Sequence, residues 1–419
     1  MRRALPLTGI FVIAIALGCE ATNSSGVFTG GSAGSAGSPS VGGGGNGTGG
    51  AGTGNNDGGI FDTGGGPGVG GGSTSDCVSA PDEDKDKDGF SVSAGDCNDC
   101  DPNVNPGAIE VIVTEPGMDG MVPEPADEDC DGMVDNVLPA CDTGLALDST
   151  DAMNGARAVD LCQQATAADK KWGVLEAKYV RADGSTGTPP NPLQYALFDS
   201  FGPNVNVQKG ARMLGLSSGH ARIPGQTGSC GSLTCTSNTP GTAPAGFPQD
   251  VPACPGSPNI NDDVGLELKI RSPKNATGYS FNFKFYSFEY PEWVCTSYND
   301  QYISLVSPPP MGSINGNISF DSQNNPVSVN VAFFDVCSGC ALGPGEMAGT
   351  GFDAWDDAGG TGWLLTQAPI TGGSEMTIRF AIWDTGDSAW DSTALVDNFE
   401  WIANGGTVVV GTEPIPDPK

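Results

Sequence analysis

The chain has 419 residues and carries 50 acidic against 18 basic side chains, a net charge of −32. That excess of anions argues against nucleic acid and anionic lipid surfaces as partners and is compatible with a protein built around cations. The length leaves room for two or three domains, although 64 glycines and 32 prolines leave part of the chain without a core.

Arg2 and Arg3 precede an apolar run, Ile10 to Leu17, too short to span a bilayer as a permanent helix. The run ends at Ala16-Leu17-Gly18-Cys19, which resembles the cleavage box of bacterial lipoproteins, although Ala16 stands where leucine is usual. Residues 1–19 therefore read as a lipoprotein signal with Cys19 as the lipidation site. An ordinary secretory signal cleaved nearby is the alternative. The resemblance implies an exported protein held to the outer membrane by its N-terminal lipid, on the cell surface or the periplasmic face. Residues 20–75 are almost entirely Gly, Ser, Thr, Asn and Ala, which cannot bury enough surface to offset their ordering entropy, so they read as a tether.

From Asp76 to Leu138 there are 18 acidic residues and two lysines, a net of −16 and half of the whole-chain charge. Carboxylates so crowded can form a compact segment only around something that neutralises them. Asp84, Asp86, Asp88 and Gly89 place carboxylates on alternate residues of a loop that glycine allows to turn sharply, a geometry suited to a hard cation. Asp127, Asp129, Asp131 and Gly132 repeat it, with Asp135 following, and Asp96, Asp99, Asp101, Asn103 and Asn105 supply oxygens between the two. EF-hands are excluded, because the position of their bidentate Glu is Gly95 in one loop and Leu138 in the other. The runs DKDKDG from Asp84, DCNDCDP from Asp96, PGAIE from Pro106 and DEDCDGMVD from Asp127 resemble thrombospondin type 3 repeats and the acidic metal-binding motif of secreted bacterial proteins. No histidine lies in the segment, so Ca2+ is expected rather than copper. A solvated acidic linker is the bland reading of the same residues.

Setting Cys19 aside leaves 12 of the 13 cysteines, an even number that in an exported chain reads as disulfides: Cys77, Cys97, Cys100, Cys130, Cys141, Cys162, Cys230, Cys235, Cys254, Cys295, Cys337 and Cys340. Spacing leaves the pairing open, with Cys141–Cys162 and Cys230 with Cys235 or Cys254 as local candidates. Zinc at Cys97/Cys100 and Cys337/Cys340 would require both CxxC pairs to meet in a reducing compartment.

Residues 139–411 read as a mostly β module, a jelly-roll-like sandwich, with 412–419 as a tail. A helix is expected over Thr150–Lys170, capped by Ser149 or Thr150. Val264, Leu266, Leu268 and Ile270 alternate with polar residues, as do Tyr279 to Phe285 and Met376 to Ile382; Ile318–Phe320 and Val327–Phe333 suggest a hairpin about Asn324, Asn325 and Pro326. The Pro- and Gly-rich stretch from Gly225 to Pro258 reads as a disulfide-stapled insertion. The runs FYSFEYPEW from Phe285, YNDQYI from Tyr298, PVSVN from Pro326 and AIWDTGDSAWDSTALVDNF from Ala381 are similar to the choice-of-anchor L domain of exported bacterial proteins. That resemblance implies surface display and no particular chemistry.

Glu289, Glu292, Asn299, Asp300, Asp384, Asp387, Asp391 and Asp397, flanked by aromatic strands, suggest one or two calcium sites at the rim of the sandwich, with Glu289, Asn299, Asp300, Asp391 and Asp397 as the second metal site; alternatively Asn299-Asp300 and Asp397-Asn398 make corner turns. Trp293, Trp355, Trp363, Trp383, Trp390 and Trp401 are either a sugar-stacking platform or core. His220, the one histidine, lacks a nucleophile elbow, and no spacing singles out a catalytic acid and base. The expected function is a non-catalytic adhesive surface protein that binds an extracellular polysaccharide or matrix component. A carbohydrate-active hydrolase using paired carboxylates such as Glu289 and Glu292, or a metal-sequestering protein, are the alternatives.

Overall fold

Apolar residues spaced two apart bury one face of a strand, and two such faces closed on each other make a core. The computed structural model describes residues 78–114, 116, 121–236, 239–355, 357–403 and 406–415. The signal with Cys19, the tether and Cys77 lie outside them. The chain divides into two compact units after Gly65, and every described residue belongs to the second.

In chain order the strands are β1 Gly173–Val180, β2 Tyr195–Phe198, β3 Met213–Ser217, β4 Ile260–Arg271, β5 Gly278–Ser287, β6 Gln301–Ser307 and β7 Val327–Ser328. They continue with β8 Phe334–Val336, β9 Gly359–Thr361, β10 Leu364–Pro369, β11 Glu375–Thr385, β12 Ser392–Ile402 and β13 Gly411–Pro414. All the strand pairings are antiparallel. One sheet runs β1-β4-β11-β6-β7; the other runs β13-β10-β5-β12-β3-β2, with β9 and β8 attached beside β5. The fold is thus mostly β, two sheets packed face to face. The tail expected from 412 onward instead continues β13 through Pro414, which pairs with Leu364 of β10.

The core lies between the sheets. Val264, Leu266, Leu268 and Ile270 of β4 and Ile378, Phe380 and Ile382 of β11 meet Phe281, Phe283 and Phe285 of β5. Phe281 meets Phe380 edge-on at 5.1 Å, and Phe283 stacks on Tyr302 of β6 at 5.1 Å, so aromatic contacts bridge the layers. β5 is buried on both faces, since loops carrying Phe201 and Phe352 cover Tyr286 on its outer side. That cover explains why Lys284 is fully buried; it pairs with Glu346.

Two local expectations need correction. The helix α1 spans only Ala152–Arg157, capped by Asp151, whose side chain accepts from the Met153 amide. Asp160 adopts φ +69°, the neighbouring Leu161 amide bonds back to Ala156, and Cys162 is tied to Cys141, so the chain leaves the helix to reach the sheet. The turn at Asn324 is present, with Asp321 accepting from the Gln323 and Asn325 amides and Phe320 bridging Pro326 antiparallel, but the pairing stops there, and β7 pairs with β6. Among the described residues no helix is long and apolar enough to cross a membrane.

The disulfides join Cys97–Cys130, Cys141–Cys162, Cys230–Cys235, Cys254–Cys295 and Cys337–Cys340. Cys100 is disulfide-bonded as well. The insertion is therefore stapled twice, once within itself and once to the loop after β5. Disulfide sulfurs are no ligands for zinc, which removes the CxxC reading.

The acidic segment packs directly on the sandwich, at the loop between β4 and β5. The Lys274 amide donates to the Gly107 carbonyl at 2.8 Å. The Asn275 side chain accepts from the Ile109 amide at 3.0 Å and donates to its carbonyl at 2.7 Å. Trp172 Nε1 donates to Ala108 at 3.1 Å, and Lys170 Nζ to Gly89 at 2.6 Å. Gly107 permits the approach, since a Cβ there would stand 3.0 Å from both Lys274 Cγ and Phe90 Cε2.

Truncating Phe283, fully buried between the sheets, is expected to cost about 3–5 kcal/mol of unfolding free energy. Denaturant titration of Phe283→Ala against the wild type checks this; a loss below about 1 kcal/mol would contradict the assigned core.

Candidate metal centres

In the first acidic loop each carboxylate spends one oxygen on the backbone. Gly89, at φ +104°, donates to Asp84 Oδ2 at 3.1 Å, Asp88 to Asp86 Oδ1 at 3.2 Å, and Phe90 to Asp88 Oδ1 at 2.7 Å. Lys85 donates to Asp99 Oδ1 at 3.0 Å and Asn98 to Asp96 Oδ1 at 2.8 Å. The second oxygens of Asp86, Asp88, Asp96 and Asp99 are buried and have no hydrogen-bond partner. Oxygens of Asp84, Asp86 and Asp99 lie within 4.8 Å of one another, as do those of Asp86, Asp88 and Asp96. Asp88, Asp96 and Asp99 are 7%, 3% and 3% exposed, so these orphaned acceptors are not left to bulk water.

The second loop repeats the backbone pattern. Gly132, at φ +88°, donates to Asp127 Oδ2 at 2.9 Å, and Met133 to Asp131 Oδ1 at 2.8 Å. The ligand triplets, however, are Glu110 with Asp127 and Asp129, and Glu110 with Glu128 and Asp135. Glu110 is common to both; its oxygens accept from the amides of Asp129 at 3.3 Å and Asp135 at 2.8 Å. Glu110 and Glu128 were not expected as ligands, because the alternation signal belongs to the loop and Glu110 lies 17 residues before it. The Cys97–Cys130 bridge and the Asn105 amide on the Glu128 carbonyl, 2.8 Å, bring them together. The available signal was PGAIE, whose acidic residue follows a turn.

Asp131 falls in neither triplet and instead holds the Met133 amide and, at 2.8 Å, Asn136 Nδ2. Asp101 and Asn103 also stand apart: Asp101 Oδ1 accepts from both nitrogens of Asn103 at 3.0 Å, an Asx-type turn. Both centres offer oxygen donors only, most of them carboxylates, the set that suits a hard divalent cation. Burial, followed by the neighbouring carboxylates, pushes up the carboxyls of Asp86 and Asp96 and takes Asp88 to about 6. Burial likewise takes Glu110 to about 7 and raises Asp129.

Within the sandwich the expected second set is only partly assembled. Glu289 and Asp300 are adjacent, the Asp300 amide donating to Glu289 Oε2 at 3.4 Å, and Asp391 lies in the same buried region. Asn299 Oδ1 accepts from Asn330 Nδ2 at 2.7 Å. Asp397 is elsewhere: six residues further along the chain from Asp391, roughly 20 Å on an extended strand, it holds the Gln208 amide at 2.6 Å beside Asp160. The tryptophans form no single platform. Trp383 and Trp363 are buried, Trp293 packs on Trp390 at 5.6 Å, Trp401 packs on Trp172 at 6.3 Å, and Trp355 is 52% exposed. Nδ1 of His220 is 2.8 Å from the Gly228 carbonyl.

The sequence model of the choice-of-anchor L domain matches residues 159–398. No curated protein and no solved structure matches the chain.

Without cations, the raised carboxyls bind more protons in the folded chain than in the unfolded one, so folding stability falls as pH climbs from about 4 toward 7. Thermal melts in chelator are expected to show that decline, and millimolar Ca2+ to flatten it. A chelated melting temperature that rises over this window would contradict the assignment.

Proposed function

The chain belongs to the choice-of-anchor L domain family and is a surface-associated protein, and from that premise we propose that it is a lipid-anchored, non-catalytic adhesin whose acidic segment takes Ca2+. Cys19 carries the lipid and residues 20–75 act as the tether. The sandwich binds an extracellular polysaccharide or matrix component. Ca2+ held by Asp84, Asp86, Asp88, Asp96 and Asp99, and by Glu110, Asp127, Glu128, Asp129 and Asp135, sets the stance of the acidic segment against the sandwich.

One observation supports this reading above the others. Gly107, Ala108 and Ile109 make the backbone contacts with the sandwich, and the next residue, Glu110, is the ligand shared by both triplets of its centre. Ordering Glu110 around a cation orders the docking strip as well, so metal binding and docking share one free energy. A metal-sequestering role would need no such junction.

Glu110→Gln is expected to weaken Ca2+ binding at its centre at least tenfold, about 1.4 kcal/mol, and to make residues 110–138 protease-sensitive at Ca2+ levels that protect the wild type. Calorimetric titration and limited proteolysis read the two effects; Ca2+-independent protection would contradict the coupling. Cys19→Ser is expected to release the protein from the membrane fraction, and chelation to abolish retention of the wild type on extracellular polysaccharide. Retention unchanged in chelator would remove the calcium-dependent adhesive reading.

A further inference from the structure

At the end of the sandwich opposite the acidic segment, strand ends of both sheets gather carboxylates far apart in sequence. Asp384 of β11 faces Asn261 of β4, Trp383 faces Gln301 of β6, and Ser392 of β12 faces Ser287 of β5. That register brings Asp384 together with Asp300 just before β6, Asp391 just before β12 and Glu289 just after β5. Their exposures are 0% for Asp300 and Asp384, 2% for Glu289 and 4% for Asp391.

The hydrogen bonds there suit anions. Asp300 accepts from the Thr385 amide at 2.9 Å and the Ser392 hydroxyl at 2.7 Å, and Asp391 Oδ2 accepts from the Cys235 amide at 2.9 Å. Gly219 closes against the same carboxylate, where a Cβ would stand 1.8 Å from Asp391 Oδ2. Three oxygens are left over: both of Asp384 and Oδ1 of Asp391 are buried with no hydrogen-bond partner. Ser218 lies beside Asp384, yet its hydroxyl is 3.4 Å from the Ser392 carbonyl, to which it donates. Burial raises all four carboxyls, Asp300 to about 7, and repulsion from one another and from Asp387 and Asp262 adds to it.

A buried carboxylate facing other carboxylates is costly unless a counter-charge joins it. We propose that this cluster is a further divalent-cation site, of the Ca2+ class, held by Asp300, Asp384, Asp391 and Glu289 between the two sheets. The donors are all oxygen, the set a hard cation takes. An ion drawn in among them would supply the counter-charge that the leftover acceptors lack. The site pins β6 and β11 of one sheet to the loops before β12 and after β5 of the other. It stands independently of the adhesive reading and of the acidic loops.

Equilibrium dialysis of the full chain against 45Ca2+, with folding followed by circular dichroism, tests the site. The chain with the acidic loops disabled (Asp86→Asn with Glu110→Gln) is expected to retain one bound Ca2+ per molecule, and adding Asp391→Asn to abolish it. Asp384→Asn alone is expected to bind one ion fewer than the wild type. A loop-disabled chain that is folded and binds no Ca2+ would overturn the proposal, leaving the cluster to protons. So would a residual ion that survives both Asp391→Asn and Asp384→Asn.

Discussion

Carboxylates crowded where water and basic partners are scarce are the constraint to which most of this molecule answers. Coulomb repulsion between like charges a few ångströms apart grows as the surrounding dielectric falls, and burial makes it fall. The chain carries 50 acidic residues against 18 basic ones, so salt bridges can balance only a minority. Where a base is spent inside, it is spent locally: Lys284 on Glu346, Arg181 on Asp263, Arg379 on Glu267. In the acidic loops the backbone takes over part of that role, with amides of Gly89, Phe90, Gly132 and Met133 each donating to a carboxylate. Amide dipoles orient such oxygens but do not cancel their charge, and the remainder converges.

The sandwich sets where that convergence happens. β4, with 12 residues, spans roughly 40 Å at about 3.3 Å per residue. One end of it leads into Lys274 and Asn275, which hold the acidic segment; the other begins beside Asp384 and Asp300. Antiparallel register turns sequence separations of tens of residues into neighbours at each end, while the aromatic contacts of Phe281, Phe283, Phe380 and Tyr302 fix the distance between the sheets. The cross-sheet core is thus the rigid member, and acidic clusters occupy both of its ends.

Much of this was legible in the sequence, and the failures share a cause. The alternation of Val264–Ile270, Tyr279–Phe285 and Met376–Ile382 predicted β4, β5 and β11, because a half-buried strand writes its burial into every second residue. The turns of the DxDxDG loops were legible for the same local reason: the carboxylates and the turn glycine lie within six residues. Glu110 was missed because it approaches the candidate centre from outside the loop, and Glu128 because its place between Asp127 and Asp129 is out of step with the two-residue spacing. Asp384 and Asp397 were read into one set, and the structure separates them, since which carboxylates meet depends on strand register across some 120 residues. The overlong helix reflects a helix-compatible composition overridden by the Cys141–Cys162 link and the turn at Asp160.

Asn275 clasps Ile109 as a neighbouring strand would, accepting from its amide and donating to its carbonyl through a side chain that copies a peptide group. Recognition of this kind reads only the main chain, so these bonds demand nothing of the side chain at 109 and a carboxamide at 275. It also gives the junction a chemical lifetime. Hydrolysis of that one amide to a carboxylate would exchange the donor for a second acceptor, set a negative oxygen against the Ile109 carbonyl and add another anion beside Glu110. Deamidation, a slow ageing reaction, would then weaken the junction at its side-chain clasp, leaving the bonds from Lys274, Trp172 and Lys170 to hold the acidic segment.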